Sequence, residues 1–338
     1  MKLRLHRFEL PLRHVFTIAR GSSAVYRALV VELEQDGLRG YGEAGENDFY
    51  GATWENMAAA LERVRPLLEG GQLEDPRALW EQCRPALEQN TFAQCALDVA
   101  AHDLWGKLRG QPVWKLWGLT LAKLPPTDYT IGLDTIDKMI AKIQEFPGWP
   151  VYKIKLGTDH DLEIVRSLRR HTDAIFRVDA NCGWSVEQAL DLAPRLAGLN
   201  VEFIEQPLPP EDWEGMRCLR DQSPLPLVAD ESCQTEADVD RCLGFFHGVN
   251  IKLVKCGGLT PARRMIARAR HLGLKVMVGC MTESTVGISA IAQLSPLLDY
   301  VDMDGALLLA EDIATGVTID RGRVRYPEEN GCGVRLIR

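Results

Sequence analysis

Short apolar runs recur at a nearly constant interval through the second half of the chain. Seven of them begin at residues 151, 175, 201, 226, 248, 275 and 300, so neighbouring starts lie 22 to 27 residues apart. They read VYKIKLG, IFRVDAN, VEFIEQP, PLVADES, GVNIKLV, KVMVGCM and YVDMDG, and the segments between them have the apolar spacing of helices. Strand and helix alternating at this spacing predict right-handed β-α-β units and a parallel sheet.

An earlier run, DYTIGL at 128–133, supplies an eighth strand. Eight parallel strands joined by helices predict a closed α/β barrel. An open, doubly wound sheet is the alternative, although the G-x-G-x-x-G pattern of its dinucleotide-binding form does not follow the first strand.

The first 122 residues have a different pattern. The stretch ALVVELEQDGLRGYGEA alternates around an Asp-Gly pair, which predicts an antiparallel hairpin or meander. Helical spacing follows in TFAQCALDVAAHDLWGKLRG, and Gly110 and Pro112 end it. We therefore expect an α+β capping domain over residues 1–122 and a barrel over 123–312. A strand-and-turn segment over 313–338 is expected to return to the capping domain.

Composition and charge restrict the partners. The chain has 338 residues and a net charge of −8, which argues against nucleic acid because a basic face would be expected. The charged N-terminus lacks the apolar stretch of a signal peptide, and no window approaches the ~18 apolar residues of a membrane span. We expect a cytoplasmic protein without a membrane partner. Its oligomeric state stays open, a homo-oligomer included.

The cysteines do not form a recognisable framework. There are nine of them, scattered along the chain without a C-x-x-C pair. In a chain that is not exported, this pattern predicts reduced thiols and argues against a zinc site or a set of disulfides.

Six of the seven runs have a charged residue at their fifth position. These residues are Lys155, Asp179, Glu205, Asp230, Lys252 and Asp304. The carboxyl ends of barrel strands meet at one mouth, where the active sites of such barrels lie. We therefore expect these side chains to surround a common site. Charges solvated separately at each strand end are the alternative.

Three of these residues are carboxylates on consecutive strands. Without cysteine or histidine among them, they offer only oxygen ligands, which favours Mg²⁺. Lys155 and Lys252 should face each other across the barrel, so that each can exchange a proton with a carbon held between them. Lys153 shares a strand face with Lys155, and with the metal it would stabilise the anion formed when the proton leaves. We expect the positive surroundings to lower the pKa of the lysines and so free a neutral amine to act as base.

Further polar residues lie beside these positions. Lys255 follows Lys252 by three residues and would point to the opposite face of a continuing strand, so we expect it to be structural or peripheral. Asn181 and Glu231 are candidate partners of the neighbouring ligands, with ordinary loop polarity as the alternative. Cys280 has no histidine partner in its run, so we expect it to line the mouth and not to act as a nucleophile.

The motifs KIK, DAN, IEQP, ADES, NIKLVKCGG and DMDG together resemble the enolase superfamily, specifically its muconate lactonizing enzyme subgroup. The resemblance covers essentially the whole chain and implies a TIM-like (β/α)7β barrel behind an N-terminal capping domain. Sites of this superfamily use a lysine or histidine base with Mg²⁺. In this chain the resemblance assigns Mg²⁺ to Asp179, Glu205 and Asp230, the acid/base pair to Lys155 and Lys252, and the steadying of the substrate carboxylate to Lys153.

The last strand distinguishes the reactions of this subgroup. YVDMDG places Asp302 and Asp304 on one strand face, where two carboxylates require a cation. In related dipeptide epimerases an Asp-x-Asp at this place holds the N-terminal ammonium of the substrate, and Gly305 and GCMTES also resemble theirs. We therefore expect an isomerase, a dipeptide epimerase that inverts the α-carbon of the C-terminal residue by 1,1-proton transfer through an enediolate. A solvated acidic turn is the alternative.

Arg20, in the loop FTIARGSS, bears on the choice of dipeptide. Related L-Ala-D/L-Glu epimerases carry an arginine in this loop, so this activity, in the recycling of murein peptides, is our first expectation. Other dipeptides stay open, as do an N-acylamino acid racemase, an o-succinylbenzoate synthase and a cycloisomerase. A lysine Schiff-base lyase would not need the carboxylates, and a non-catalytic barrel would be expected to lack part of the set.

Overall fold

The computed structural model describes residues 1–19, 21–87 and 89–337. The chain begins with an antiparallel sheet of three strands in the order β1-β2-β3, followed by helices. These elements are β1 (Lys2–Ile18), β2 (Gly21–Gln35), β3 (Leu38–Gly45), α1 (Trp54–Glu69), α2 (Pro76–Leu87), α3 (Thr91–Leu108) and α4 (Val113–Leu116). Asp36 and Gly37, which join β2 to β3, have φ values of 51° and 77°, as a tight hairpin turn requires.

Helix α3 lies directly on β3 because glycine leaves room for it. A Cβ at Gly42 would stand 2.2 Å from the carbonyl oxygen of Ala96. Buried apolar side chains of this first part and of the barrel belong to one contiguous cluster. The two parts of the chain therefore share a core.

The second sheet has eight parallel strands that follow one another in chain order. They are β4 (Tyr129–Ile131), β5 (Val151–Lys155), β6 (Ile175–Asp179), β7 (Val201–Glu205), β8 (Leu227–Ala229), β9 (Gly248–Lys252), β10 (Lys275–Gly279) and β11 (Tyr300–Asp302). Thr127, just before β4, pairs in parallel with Val301 of β11, and this bridge closes the sheet into a ring.

A helix follows each of the first seven strands. The helices are α5 (Ile136–Glu145), α6 (Asp161–Arg169), α7 (Val186–Ala197), α8 (Trp213–Gln222), α9 (Glu236–Cys242), α10 (Leu253–Cys256), α11 (Leu259–His271) and α12 (Thr285–Ala292), of which α10 is a short addition after β9. The predicted (β/α)7β barrel with an N-terminal α+β cap is thus confirmed. None of the helices in the described ranges is long and apolar enough to cross a membrane.

Two buried carboxyl groups of the cap, one on α3 and one on β3, form hydrogen bonds with the barrel. Asp98 of α3 accepts hydrogen bonds from the backbone N–H and the hydroxyl of Thr260, at 2.8 and 2.7 Å, at the start of α11. Glu43 of β3 bonds in the same way to Ser284, which precedes α12. The first N–H groups of a helix lack partners within the helix, so each carboxylate also caps a barrel helix.

The last segment of the chain forms two small antiparallel pairs. Strand β12 (Ala314–Thr315) pairs with β15 (Arg335–Leu336), and β13 (Thr318–Asp320) pairs with β14 (Arg323–Arg325). The backbone N–H of Cys332 donates to Asp103 Oδ1 of α3 at 2.7 Å, and the N–H of Val113 donates to the Gly331 carbonyl at 2.8 Å. The segment therefore contacts helices of the first part.

Candidate active site

The ends of the barrel strands bring the predicted charges together. In the sheet register, Lys155 pairs with Asp179 and Asp179 pairs with Glu205. On the far side, Gly279 pairs with both Lys252 and Asp302. Adjacent parallel strands thus end at one level, which is why residues about 25 positions apart in sequence meet at one mouth.

Asp304 does not lie on the strand where the sequence pattern placed it. Strand β11 ends at Asp302, and Asp304 follows at the start of a short 3₁₀ turn, Gly305–Leu308. Asp302 therefore occupies the level of Lys252 in the register, and the expectation that both carboxylates share a strand face is wrong. The apolar run predicted the strand but carried no signal for where its pairing stops.

Lys153 lies at the centre of the acidic cluster. Its side chain is buried, and its Nζ lies 2.8 Å from Glu205 Oε2, 2.8 Å from Asp302 Oδ2 and 3.1 Å from Asp179 Oδ2. Burial opposes its charge, but the attraction of these carboxylates outweighs burial and raises the pKa of Lys153 well above its ordinary value. This lysine is a fixed cation at the floor of the site.

Lys155 and Lys252 come from opposite sides of the ring. Strands β5 and β9 are separated by four steps in the eight-stranded order. Lys155 donates to Asp179 Oδ2 at 2.7 Å, and Lys252 donates to Asp230 Oδ2 at 2.9 Å. The two amines therefore lie on opposite sides of the cluster of carboxylates formed by Asp179, Glu205 and Asp230.

The pKa of Lys252 is set by burial and by the carboxylates around it. Burial disfavours the ammonium, but the attractions of Asp230 and Glu205 together outweigh burial and raise the pKa of Lys252 above its ordinary value. The expectation of lowered lysine pKa values is for the site with its metal ion bound, and it stays a prediction. A divalent cation held by the same carboxylates would oppose their attraction.

Three carboxylates could hold a metal ion. One oxygen each of Asp179, Glu205 and Asp230 lie within 4.8 Å of one another, and all three residues are buried. Glu205 Oε2 faces Lys153 but makes no hydrogen bond within the described ranges. A set of oxygen atoms without nitrogen or sulfur, one of them lacking a hydrogen bond, fits a hard cation such as Mg²⁺.

The three candidate ligands do not have the same proton affinity. Burial and the charge of Asp179 raise the pKa of Glu205 to about 7. Burial also acts on Asp179 and Asp230, but nearby lysines outweigh it and lower the pKa of both carboxyl groups. Asp179 and Asp230 are therefore anionic near neutral pH, and a cation that binds them would favour ionised Glu205 as well.

Asp302 and Asp304 lie next to each other despite the end of the strand. Asp302 Oδ1 is buried and has no hydrogen-bond partner among the described residues. Asp304 accepts from the N–H of Thr130 at 2.6 Å and from its hydroxyl at 3.2 Å. Burial opposes the charge of Asp302, but Lys153, Lys155 and Lys252 together outweigh burial and lower its pKa. Burial and the charge of Asp302 raise the pKa of Asp304 to about 7.

Cys280 completes this side of the mouth. Its sulfur lies within 4.8 Å of an oxygen of Asp302 and of Asp304. Burial, followed by the charges of these carboxylates, raises the pKa of the thiol well above its ordinary value. A thiol with such surroundings is a poor nucleophile, so Cys280 lines the site.

Sequence reasoning misjudged or missed two further residues. Strand β9 ends at Lys252 and residues 253–256 are helical, so Lys255 does not point away as a strand residue would, and it contacts Asp230. Asn250 donates through Nδ2 to Glu205 Oε1 at 2.7 Å. The signal for Asn250 was available, because positions 250 and 252 share a strand face. Asn181, a candidate partner, donates its backbone N–H to Asp179 Oδ1 at 3.0 Å.

The hairpin between β1 and β2 covers part of the mouth. A Cβ at Gly132 would stand 3.0 Å from the carbonyl oxygen of Thr17, and one at Gly157 would stand 3.1 Å from the Cβ of Ala19. Thr17 and Ala19 thus lie close to the ends of β4 and β5, respectively. Arg20, predicted to select the substrate, lies outside the described residues.

Both parts of the chain match known families. Residues 3–118 match the family described as mandelate racemase / muconate lactonizing enzyme, N-terminal domain. Residues 138–338 match the family described as enolase C-terminal domain-like.

Individual relatives match over nearly the whole chain. An L-Ala-D/L-amino acid epimerase of Flavobacterium johnsoniae is 54% identical over 100% of both chains. An L-Ala-D/L-Glu epimerase of Bacteroides thetaiotaomicron is 42% identical over 100% of this chain and 88% of that protein. A dipeptide epimerase from Cytophaga hutchinsonii, solved with Mg and the dipeptide D-Ala-L-Val, is 27% identical over 99% of this chain and 95% of its own, with a TM-score of 0.93.

Proposed function

Because this chain belongs to the mandelate racemase and muconate lactonizing enzyme family of enolase-like proteins, we propose that it is a Mg²⁺-dependent dipeptide epimerase. It is an isomerase that inverts the α-carbon of the C-terminal residue of its substrate. The observation that carries this function is the placement of Lys155 and Lys252 on opposite sides of the three buried carboxylates. The relatives named above are epimerases, which supports the same reading.

The two lysines provide an acid and a base on opposite faces of one carbon. One amine takes the α-proton from its face, and the ammonium of the other returns a proton from the opposite face, so that the configuration inverts. The enediolate between these steps carries added negative charge on the substrate carboxylate. Lys153, whose charge is fixed by three carboxylates, is placed to stabilise it.

Asp179, Glu205 and Asp230 are the residues that would hold Mg²⁺. When bound, the ion supplies positive charge to the substrate carboxylate and thereby acidifies the neighbouring C–H. The chain itself fixes the three carboxylates at the ends of consecutive strands and excludes water from them by burial. Complexes of a related dipeptide epimerase with Mg support this cofactor.

Asp302 and Asp304 are proposed to bind the N-terminal ammonium of the dipeptide. Asp302 is anionic near neutral pH, and its free Oδ1 is an acceptor that needs a donor. Asp304 is fixed by Thr130, so its position does not depend on the substrate. An N-acylated substrate has no ammonium to offer, and this argues against an N-acylamino acid racemase.

We propose N-terminal L-alanine and take L-Ala-L-Glu as the first substrate to test. The relative at 42% identity is named for that activity. The relative at 54% identity is named for L-Ala followed by amino acids in general. The alternative is therefore an epimerase that accepts several amino acids at the second position of the dipeptide. For L-Ala-L-Glu, Arg20 would pair with the glutamate side chain, and the natural setting would be recycling of murein peptides in the cytoplasm.

The test is a panel of dipeptides incubated with the Mg²⁺-loaded protein in D₂O. L-Ala-L-Glu, other L-Ala-L-Xaa peptides and N-acetyl-L-Glu are followed by mass spectrometry and NMR. Gain of one deuteron at the α-carbon of the second residue, with formation of the L,D epimer, is expected for L-alanyl dipeptides only. Turnover of N-acetyl-L-Glu with none of the dipeptides would contradict the proposed role of Asp302.

A further inference from the structure

Lys255 is a buried cation that the proposed reaction does not use. It lies on α10, the short helix directly after β9, and its side chain has no solvent exposure. Its Nζ lies 2.6 Å from Asp230 Oδ1, 2.6 Å from the Asp230 carbonyl oxygen and 3.1 Å from the Cys233 carbonyl oxygen. An ammonium has three protons, so these acceptors satisfy it fully.

The helix that carries Lys255 is held from the cap side. Trp80 Nε1 of α2 donates to the carbonyl oxygen of Gly257, immediately after α10, at 3.0 Å. Gly257 has a φ of 94°, and a Cβ there would stand 2.5 Å from Gln94 Oε1 of α3. The backbone at the end of α10 is therefore packed closely against α2 and α3.

This arrangement divides the two oxygens of Asp230. Oδ1 faces Lys255, and Oδ2 faces Lys252, one of the two lysines proposed to exchange the α-proton. Asn250 of β9 has a similar relation to Glu205. It donates to Oε1 and leaves Oε2 without a hydrogen bond. In Asp230 and in Glu205, one carboxylate oxygen is thus held by a side chain that is neither a candidate metal ligand nor a member of the proposed acid/base pair.

We infer that Lys255 is a positioning residue for the metal site, which fixes Asp230 as a ligand through the single oxygen Oδ2. The inference rests on the proposed Mg²⁺ site but not on the identity of the substrate. Groups that orient metal ligands typically contribute about 10- to 100-fold to metal affinity. Lys255 would act through Asp230 and would not touch the dipeptide.

Lys107, in the last turn of α3, offers a matched control. It donates to the buried Asp103 Oδ2 at 2.6 Å and to the carbonyl oxygens of Arg39 and Val334 at 2.8 Å each. Its partners resemble those of Lys255, but none of them is a candidate metal ligand. Removing either ammonium takes a cation away from a buried carboxylate and should lower stability.

The experiment measures Mg²⁺ affinity on the full chain without any dipeptide. Wild type, Lys255→Met, Lys255→Gln and Lys107→Met are freed of metal with EDTA, dialysed and titrated with MgCl₂ by calorimetry. The Mg²⁺-induced rise in melting temperature is recorded in parallel. Lys255→Met should bind Mg²⁺ about 10- to 100-fold more weakly than wild type. Lys107→Met should lose stability but keep wild-type affinity.

Lys255→Gln covers the case in which the methionine variant does not fold, since the amide can still donate to the carbonyl oxygens. A folded Lys255 variant that binds Mg²⁺ as wild type does would overturn the inference, and so would an equal loss in Lys107→Met. Failure of the wild type to bind Mg²⁺ would refute the metal site itself together with the inference. Absence of dipeptide turnover, with Mg²⁺ affinities as expected, would count against the proposed function alone.

Discussion

Glu43 provides a quantitative test of the junction between cap and barrel. It lies on β3, is buried, and bonds through both oxygens to the N–H and hydroxyl of Ser284. Burial, followed by the negative charge of Glu283, raises its pKa from an ordinary 4.5 to about 8. Glu43 is therefore neutral in the folded protein at neutral pH, whereas it is ionised in the unfolded chain.

The perturbation is Glu43→Gln, because the amide can accept from the Ser284 N–H and donate to its hydroxyl. A carboxyl group with a raised folded-state pKa stabilises the fold fully below pH 4.5 and loses that contribution as the pH rises towards 8. At about 1.4 kcal/mol per pKa unit, the whole shift corresponds to an upper limit of about 5 kcal/mol. The glutamine variant does not titrate, so its stability relative to wild type should increase with pH.

The assay is urea unfolding of metal-free wild type and variant at pH 5, 7 and 8.5, with circular dichroism as the signal. We expect near-equal stability at pH 5 and a gain of at least about 2 kcal/mol for Glu43→Gln at pH 8.5. Glu32→Gln is the control, since Glu32 is also buried but pairs with Arg4 and His6, and losing these partners should not stabilise at any pH. A difference between Glu43→Gln and wild type that does not change with pH would refute the reasoning.

Three further predictions concern the site. Chelation with EDTA should abolish epimerisation and Mg²⁺ should restore it, together with a rise in melting temperature that grows with Mg²⁺ concentration; full activity in EDTA would contradict the metal site. Asp302→Asn should lower kcat/KM for L-Ala-L-Glu by roughly 10- to 100-fold, the value of a charge-assisted hydrogen bond, and an unchanged kcat/KM would remove Asp302 from substrate binding. Gly157→Ala should lower the free energy of unfolding by about 1–3 kcal/mol because its φ is 108° and a Cβ would stand 2.9 Å from the Ala180 carbonyl oxygen. Gly244→Ala, also at positive φ (86°) but with nothing within 4 Å, should cost less in the same urea assay.

The sequence predicted the barrel well because its strands are buried on both faces and regularly spaced. The interval of about 25 residues reflects one strand, one helix and two loops, which is the geometric unit of the fold. Lys155, Asp179 and Glu205 could be placed at one level for the same reason, and the register confirms that level.

The ends of strands were the weak point. Apolar alternation shows which face a residue occupies but not where pairing stops, and this misplaced both Asp304 and Lys255. For Lys255 a signal existed, since Gly257 and Gly258 follow it and both adopt positive φ to end the short helix.

The individual side-chain contacts between the cap and the barrel could not be predicted from the sequence. Glu43 and Ser284 are 241 positions apart, and their hydrogen bonds depend on how the cap docks onto the barrel. The raised pKa of Glu43 follows from that docking, because burial is its largest cause. Periodicity describes single elements and does not specify how separate elements face one another.

The most direct test of the central claim is proton exchange by the two single-lysine variants. Lys155→Gln and Lys252→Gln are loaded with Mg²⁺ and incubated in D₂O with L-Ala-L-Glu or with L-Ala-D-Glu, and deuterium at the glutamate α-carbon is followed by NMR. Both variants should lose epimerisation by about 10²- to 10⁴-fold. Each should still exchange the α-proton of one epimer, and the two variants should retain opposite epimers. Exchange of both epimers by one variant, or of the same epimer by both, would contradict a mechanism in which the lysines act on opposite faces of the carbon.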